Sequence, residues 1–326
     1  MEILRDADID PAPLAGKRVA IIGFGNQGRA QSLNLKDSGV DVAVALRDGS
    51  LNAAVAEALC LEVKGIEDAA AWADVVMLLT PDEILGRLYK QIEPRLRPGA
   101  ALGFSHGLAI HFRTVVPRDD LDVFLVAPKG PGTALRSLYR DGQGMIALWA
   151  VAQDRSGAAR GLALAYGQAI GCARAGLIAS SFAEECEADL FNEAAVVWGA
   201  VPEILIAGFD TLVAGGISEE VAYLECVGEL KLIAELIEAR GIAGMREAIS
   251  NTAELGATLG GPRIVDAGVR QRMADMLAEI RAGRFAEQLT QEEAAGYPRL
   301  KAARTAAKAL PVERAFNALR SAQPKA

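Results

Sequence analysis

Histidine is scarce in this chain, with two residues in 326, and the four cysteines (Cys60, Cys172, Cys186 and Cys226) form no CxxC pair. A structural zinc site draws on such ligands, so none is expected. The thiols read as reduced, as in the cytosol, with Cys186 and Cys226 packing as small buried residues. Aromatic residues make up only 5% of the chain, yet 51% is hydrophobic, which supports a large aliphatic core and excludes disorder. There is no excess of basic charge. The net charge of -8 argues against a nucleic-acid partner. An anionic small-molecule substrate would then need local positive charge, which metal ions can supply. No stretch reaches the ~18 uninterrupted apolar residues of a membrane span; residues 161–173 lack charge, but Arg160 and Arg174 bracket them. The opening MEILRDADIDPAPLAGKR has no apolar signal core. The expectation is a soluble, cytoplasmic protein of two domains.

The first half alternates strands and helices. VAIIG (19–23), VDVAVAL (40–46), VVMLL (75–79), ALGFS (101–105) and VFLVAP (123–128) are continuous apolar runs, with MIALWAVAQ (145–153) and AGLIAS (175–180) extending the set. Such runs separated by helices imply a parallel sheet covered on both faces. From about residue 182 strand-like runs vanish. Ser218 reads as a helix start and Gly241 as a stop. Several helices are apolar around much of their circumference, so they are expected against a large core or another subunit. The fold class is therefore α/β: a doubly wound Rossmann-type domain over residues 1–181, then an all-helical domain over 182–326 that oligomerises. The tail after Pro311 is basic and alanine-rich, and its last residues are expected to be loose.

GFGNQG (23–28) fits GxGxxG and sits between a strand and a helix, the context that gives the pattern meaning. Gly23 allows the turn, Gly25 lets a pyrophosphate approach, and Gly28 permits close packing of helix on strand. Asn26 and Gln27 complete the loop, and the helix N-terminus faces the phosphates. At the end of the second strand stand Arg47, Asp48, Gly49, Ser50 and Asn52. Arg47 and Ser50 suit a 2′-phosphate, favouring NADPH over NADH; Asp48 opposes it by repelling phosphate.

Two acid pairs, Asp189 with Glu193 and Glu225 with Glu229, are each four residues apart beside long apolar runs. Residues so spaced share a helix face. Buried carboxylates need positive partners. Two hard divalent cations would satisfy four oxygen ligands, which points to magnesium or manganese. Two ordinary solvated faces would give the same spacing. His106 in FSHGLAIHF and Lys129 in APKGPG follow strands, where ligands of such sheets bind.

Together the motifs FSHGLAIHF, LVAPKGPG, DLFNE, ECVGELKLI and ISNTAELG, in this order, resemble a ketol-acid reductoisomerase of the short class, along nearly the whole chain. The resemblance implies a knotted helical domain and an intertwined homodimer, or a higher homo-oligomer, with shared active sites. It implies two Mg2+ ions, bridged by Asp189 and surrounded by Glu193, Glu225 and Glu229, the last two from the other subunit. It places Ser250 on the substrate's carboxylate or hydroxyl and His106 and Lys129 beside the metals. It implies alkyl migration in 2-acetolactate, then hydride reduction by NADPH to 2,3-dihydroxyisovalerate. Glu229 and a metal-bound water are its candidates for proton handling, with Lys129 supporting the charge.

Several neighbours depart from the family pattern. Trp198 stands for a usual small Cys near the substrate, Gly228 for a His, Leu255 for a Tyr, Arg29 for a His and Asn52 for a Ser, and Met145 and Ile146 replace a usual Val-Pro. Enlarging a side chain in a packed pocket costs ~1–3 kcal/mol unless neighbours adjust, and Gly228 and Leu255 could be that adjustment. The departures leave two alternatives: a diverged relative acting on another 2-keto or 2-hydroxy acid in a specialised pathway, and a non-catalytic NADP-binding homologue.

Overall fold

The computed structural model describes residues 2–322 and divides the chain into two compact units, Met1–Ala188 and Asp189–Ala326. The first is built on a nine-stranded sheet. Its strands are β1 (Ile3–Leu4), β2 (Arg18–Ile22), β3 (Asp41–Leu46), β4 (Glu62–Gly65), β5 (Val75–Leu78), β6 (Ala101–Phe104), β7 (Asp122–Pro128), β8 (Ala147–Gln153) and β9 (Leu177–Ala179), in the order β1-β9-β8-β7-β6-β5-β2-β3-β4. Strands β2 to β7 run parallel; β8 turns back against β7, β9 runs parallel to β8, and β1 lies antiparallel to β9. From β2 the chain winds through β3 to β4, then crosses to β5 on the other side of β2. That reversal opens a crevice at the carboxyl ends of β2 and β5, where sheets of this kind bind ligands.

All seven expected strands are present. The two that sequence reading missed, β1 and β4, are short edge strands. Neither is buried on both faces, so neither needs an apolar run: β4 reads EVKG. In the inner strands successive residues feed opposite layers. Val19 and Ile21 pack with Leu35, Phe124 and Tyr166, while Ala20 and Ile22 pack with Leu85, Ile92 and Leu102.

The second unit is helical throughout its described residues. Ser218 stands at the N-cap position of the helix Glu219–Tyr223, the helix start expected there, without a side-chain capping hydrogen bond. Gly241, with φ +67°, breaks the stretch Leu230–Ala248, which resumes beyond it: it is a kink between two helices as well as a stop. The basic, alanine-rich region after Pro311 is helical. It forms the helix Pro311–Ala322, whose Val312 and Ala315 are buried with Phe209 and Ala222, because its apolar positions fall on one face. The expected loose last residues, 323–326, lie outside the described ones.

Much apolar surface of this unit stays exposed, including Leu224, Leu232, Ile242, Leu255, Leu259 and Ile264. One continuous helical stretch, Phe182–Ala214, is long and apolar enough to cross a membrane, and its most apolar part is almost wholly unburied. It holds no uninterrupted apolar run of that length, because acids including Glu185, Asp189, Glu193, Glu203 and Asp210 punctuate the stretch. Acids at such spacing suit a protein neighbour better than lipid.

Candidate active site

The glycine loop follows β2 directly, and each glycine has its own reason. Gly23 adopts φ +109°, and a Cβ there would lie 2.6 Å from the Leu79 carbonyl oxygen. At Gly28 a Cβ would lie 2.3 Å from the Gly23 carbonyl oxygen. Gly25 faces open space, with nothing within 4 Å of the Cβ position. A residue that is glycine without local crowding leaves room for a ligand to approach the backbone, here at the N-terminus of the helix Asn26–Asp37. The Gly28→Ala variant should therefore fold with a displaced loop and bind dinucleotide at least about tenfold more weakly. A fluorescence titration that returns wild-type affinity would count against this use of the loop.

Asn26 and Gln27, expected at the cofactor, also hold a neighbouring loop. Asn26 Oδ1 accepts from the Thr133 N–H at 3.1 Å, and Gln27 Nε2 donates to the Gly130 carbonyl at 2.9 Å. The loop carrying Lys129 is thus tied to the glycine loop. Below them lies a cavity of about 320 Å³ lined by Gly25, Gln27, Thr80, Ser105 and His106. Thr80 Oγ1 is buried there with no hydrogen-bond partner. An orphaned hydroxyl in a crevice at the carboxyl ends of β2 and β5 fits a polar ligand such as a dinucleotide. A larger cavity, about 720 Å³, flanks the loop beside Phe24, Arg29, Leu33, Arg136 and Arg140.

Arg47, Ser50 and Asn52 follow β3. Arg47 and Asn52 are exposed and Ser50 is half-buried. Asn52 Nδ2 donates to the Phe24 carbonyl at 3.5 Å, which tethers this turn to the glycine loop.

The chemical centre of the first unit is a carboxylate that sequence reasoning missed. Glu185 has a side chain 1% exposed and accepts three hydrogen bonds: from His106 Nδ1 at 3.0 Å, the Gly107 N–H at 2.7 Å and Lys129 Nζ at 2.7 Å. It lies on the helix Phe182–Asn192. The close approach of that helix requires Gly107, where a Cβ would meet the Phe182 carbonyl oxygen at 2.1 Å. Burial alone would lower the His106 pKa; hydrogen bonds to Cys186 and Glu185 and the Glu185 charge overcome it and raise the group to about 11. Burial opposes ionisation of Glu185 too, but the hydrogen bond and charge of His106 and the charge of Lys129 hold it below the usual carboxylate range. The signal was present in sequence as Glu185-x3-Asp189-x3-Glu193, an acid ladder with one rung per helical turn.

The four expected metal ligands are less buried than their apolar context suggested. Asp189 is half-buried, one turn after Glu185 on the same helix, while Glu193, Glu225 and Glu229 are exposed. Among the described residues of one chain, these four do not gather into a ligand cluster. The apolar runs beside them are themselves exposed, so they do not enclose the acids. Both pairs border π-helical turns, Glu193–Val197 and Leu224–Gly228, which widen the helix where the carboxylates project. The donor set is oxygen alone, as hard divalent cations prefer.

Ser250 caps the helix Asn251–Ile264, its Oγ accepting from the Ala253 N–H at 3.2 Å, and it is exposed. Trp198 is 65% exposed at the end of the first π turn, and Leu255 is 61% exposed. A Cβ at Gly228 would meet nothing closer than 3.7 Å, so no crowding within the chain demands glycine there.

Comparison with known proteins covers both units. A family pattern described as acetohydroxy acid isomeroreductase, NADPH-binding domain, matches residues 13–176, and one described as ketol-acid reductoisomerase, C-terminal domain, matches 182–325. The solved structure of an NADH-preferring ketol-acid reductoisomerase from an uncultured archean is 41% identical, with a TM-score of 0.96 and 100% of both chains covered. A semialdehyde dehydrogenase NAD-binding protein from Cupriavidus necator (21% identity, TM-score 0.60, covering 81% of this chain and 99% of that one) shares the fold. So does a pyrroline carboxylate reductase from Plasmodium falciparum (14%, 0.54, covering 82% and 98%).

Proposed function

The chain belongs to the ketol-acid reductoisomerase family, and from that membership we propose that it is a magnesium-dependent, NADPH-linked enzyme converting 2-acetolactate to 2,3-dihydroxyisovalerate. The observation that carries the reading is the buried Glu185 clasping His106 and Lys129 beside the dinucleotide cavity, one turn from Asp189. A chain freed of chemistry gains nothing from burying such a group.

Asp189 and Glu193 would hold Mg2+ from one subunit, with Glu225 and Glu229 supplied by the partner in a homodimer or higher homo-oligomer. The exposed apolar helices support such a partner. Bound there, Mg2+ supplies Lewis acidity toward the substrate's hydroxyl and carbonyl oxygens. The nicotinamide supplies the hydride. Lys129, fixed by Glu185, presents positive charge where the substrate's oxygens become more negative. His106, held protonated, keeps its ring fixed by Glu185 and acts by orientation and charge. Ser250 holds the substrate's carboxylate or hydroxyl, and Glu229 handles protons at the migrating centre. The site of action is the cytosol.

Arg47 and Ser50 support NADPH. Asp48 favours a second reading, NADH, which the archaeal relative prefers. An Arg47→Ala variant should raise the KM for NADPH roughly ten- to hundredfold, as loss of a charged hydrogen bond does, and leave NADH use unchanged. Steady-state kinetics with both cofactors decides this. Trp198 at the expected substrate position favours a different 2-keto acid as the second substrate reading. Purified protein with Mg2+, 2-acetolactate and either cofactor, followed by absorbance, tests the whole proposal. Absent turnover, with cofactor consumed on a 2-keto acid such as 3-hydroxypyruvate, would replace it with the diverged reading. Absence of both, with cofactor bound, would leave the non-catalytic one.

A further inference from the structure

A buried hydrogen-bond chain runs beneath the cavity. Tyr166 and Gln31 are both fully buried. Tyr166 Oη donates to Gln31 Oε1 at 2.7 Å. Gln31 Nε2 then donates to Gln27 Oε1 at 3.1 Å and to Ser105 Oγ at 3.0 Å, and Gln27 Nε2 donates onward to the Gly130 carbonyl. The direction of this chain is set at both ends: the Gly130 carbonyl only accepts, which turns the Gln27 oxygen toward Gln31, and Tyr166 acts from the buried end. A phenol has one proton, and burial pushes the Tyr166 group well above its usual pKa of 10.0, so it stays a donor. Its partner atom on Gln31 must be the amide oxygen, which turns both amide hydrogens toward Gln27 and Ser105.

Ser105 therefore spends its oxygen as an acceptor and keeps its own proton. Ser105 lines the same cavity as Thr80, whose hydroxyl is likewise unclaimed. We propose that Tyr166 and Gln31 fix the polarity of Ser105, so that its hydroxyl donates to an oxygen of the dinucleotide's ribose–nicotinamide half, with Thr80 Oγ1 as its companion. Ser105 is then a cofactor-binding residue, and Tyr166 and Gln31 are positioning residues that act through it. The inference rests on the reading of this cavity as the dinucleotide site.

The test is calorimetric titration of the full-length protein with NADPH and with NADH, without Mg2+ or keto acid. Ser105→Ala should weaken binding roughly tenfold, the scale of one hydrogen bond with its partner left unpaired. Tyr166→Phe keeps the ring packed against Phe124 but releases the Gln31 amide. The amide is then held only by Gln27 Oε1, and when the two amides turn together the Gln31 oxygen faces Ser105 and takes the Ser105 proton. Tyr166→Phe should weaken binding by a similar factor from a position remote from any ligand, and Ser105→Ala added to it should change little. A merely structural Tyr166 would give losses that multiply, and that result overturns the proposal. So does wild-type affinity in Ser105→Ala. Thermal melts show that each variant is folded. A wild-type protein that binds neither dinucleotide sinks this inference together with the cofactor reading. Binding that follows the expected pattern without acetolactate turnover upholds the inference while the proposed reaction fails.

Discussion

Replacing Glu185 with alanine is expected to lower turnover roughly hundred- to thousandfold, the range seen when one preorganised electrostatic group is removed, and to cost about 3–5 kcal/mol of stability, as when one member of a buried ion pair is lost. The cause is what remains: the Lys129 ammonium and the His106 imidazolium would face each other without the carboxylate that now separates them, and the Gly107 N–H would lose its acceptor. The pH dependence has a definite sign. The folded pKa of His106 is raised from 6.5 to about 11, so its contribution is complete below pH 6.5 and disappears as pH rises toward 11. The folded pKa of Glu185 lies below 4.5, so its contribution is present above that value and is lost as pH falls through the depressed one. The stability gap between wild type and Glu185→Gln should be widest between pH 4.5 and 6.5 and narrow on both sides. Denaturant melts across pH measure it. A gap that grows in alkali would show that the pair is not ionised in the folded protein.

What could be read from sequence divides along physical lines. Inner strands such as β2 and β5 are buried on both faces, and burial leaves a continuous apolar run that needs no tertiary knowledge. Edge strands are not so constrained, and EVKG at β4 carries no such mark. The glycine loop was legible because its three glycines answer local backbone demands. Glu185 was not, since what distinguishes it from the neighbouring Glu184 and Glu187 is the approach of His106, Gly107 and Lys129 from strands that precede it by more than fifty residues. Gln31 and Ser105 were invisible for the same reason: a buried hydrogen-bond chain has no sequence period. The acid pairs show the opposite failure. Their apolar surroundings suggested burial, but hydrophobicity says only that a surface wants covering, not whether the same chain covers it. Glu193, Glu225 and Glu229 are exposed in a single chain, which is what ligands completed by a second subunit would show.

Asp189→Asn is the sharpest test of the proposed metal site. Asp189 keeps its place one turn beyond Glu185, and asparagine preserves its shape while removing the charge. A neutral amide is a poor ligand for a hard dication, so the Mg2+-binding heat of wild type should vanish. Acetolactate turnover should fall roughly a thousandfold, equivalent to the several kcal/mol that metal polarisation supplies to a developing oxyanion. Dinucleotide affinity should not change, because the glycine loop and its cavity belong to the other unit's strands. The two readouts separate the mechanisms. If affinity for NADPH falls with turnover, the variant has disturbed the fold. If turnover survives while the Mg2+ signal is lost, alkyl migration does not depend on a cation at Asp189. Glu225→Gln mixed with Asp189→Asn then asks where the remaining ligands come from. Each variant alone should be inactive, and if Glu225 belongs to the partner, mixed dimers should regain one intact site, up to half the activity per mixed dimer. No recovery in verified mixed dimers would place all four acids on the same subunit.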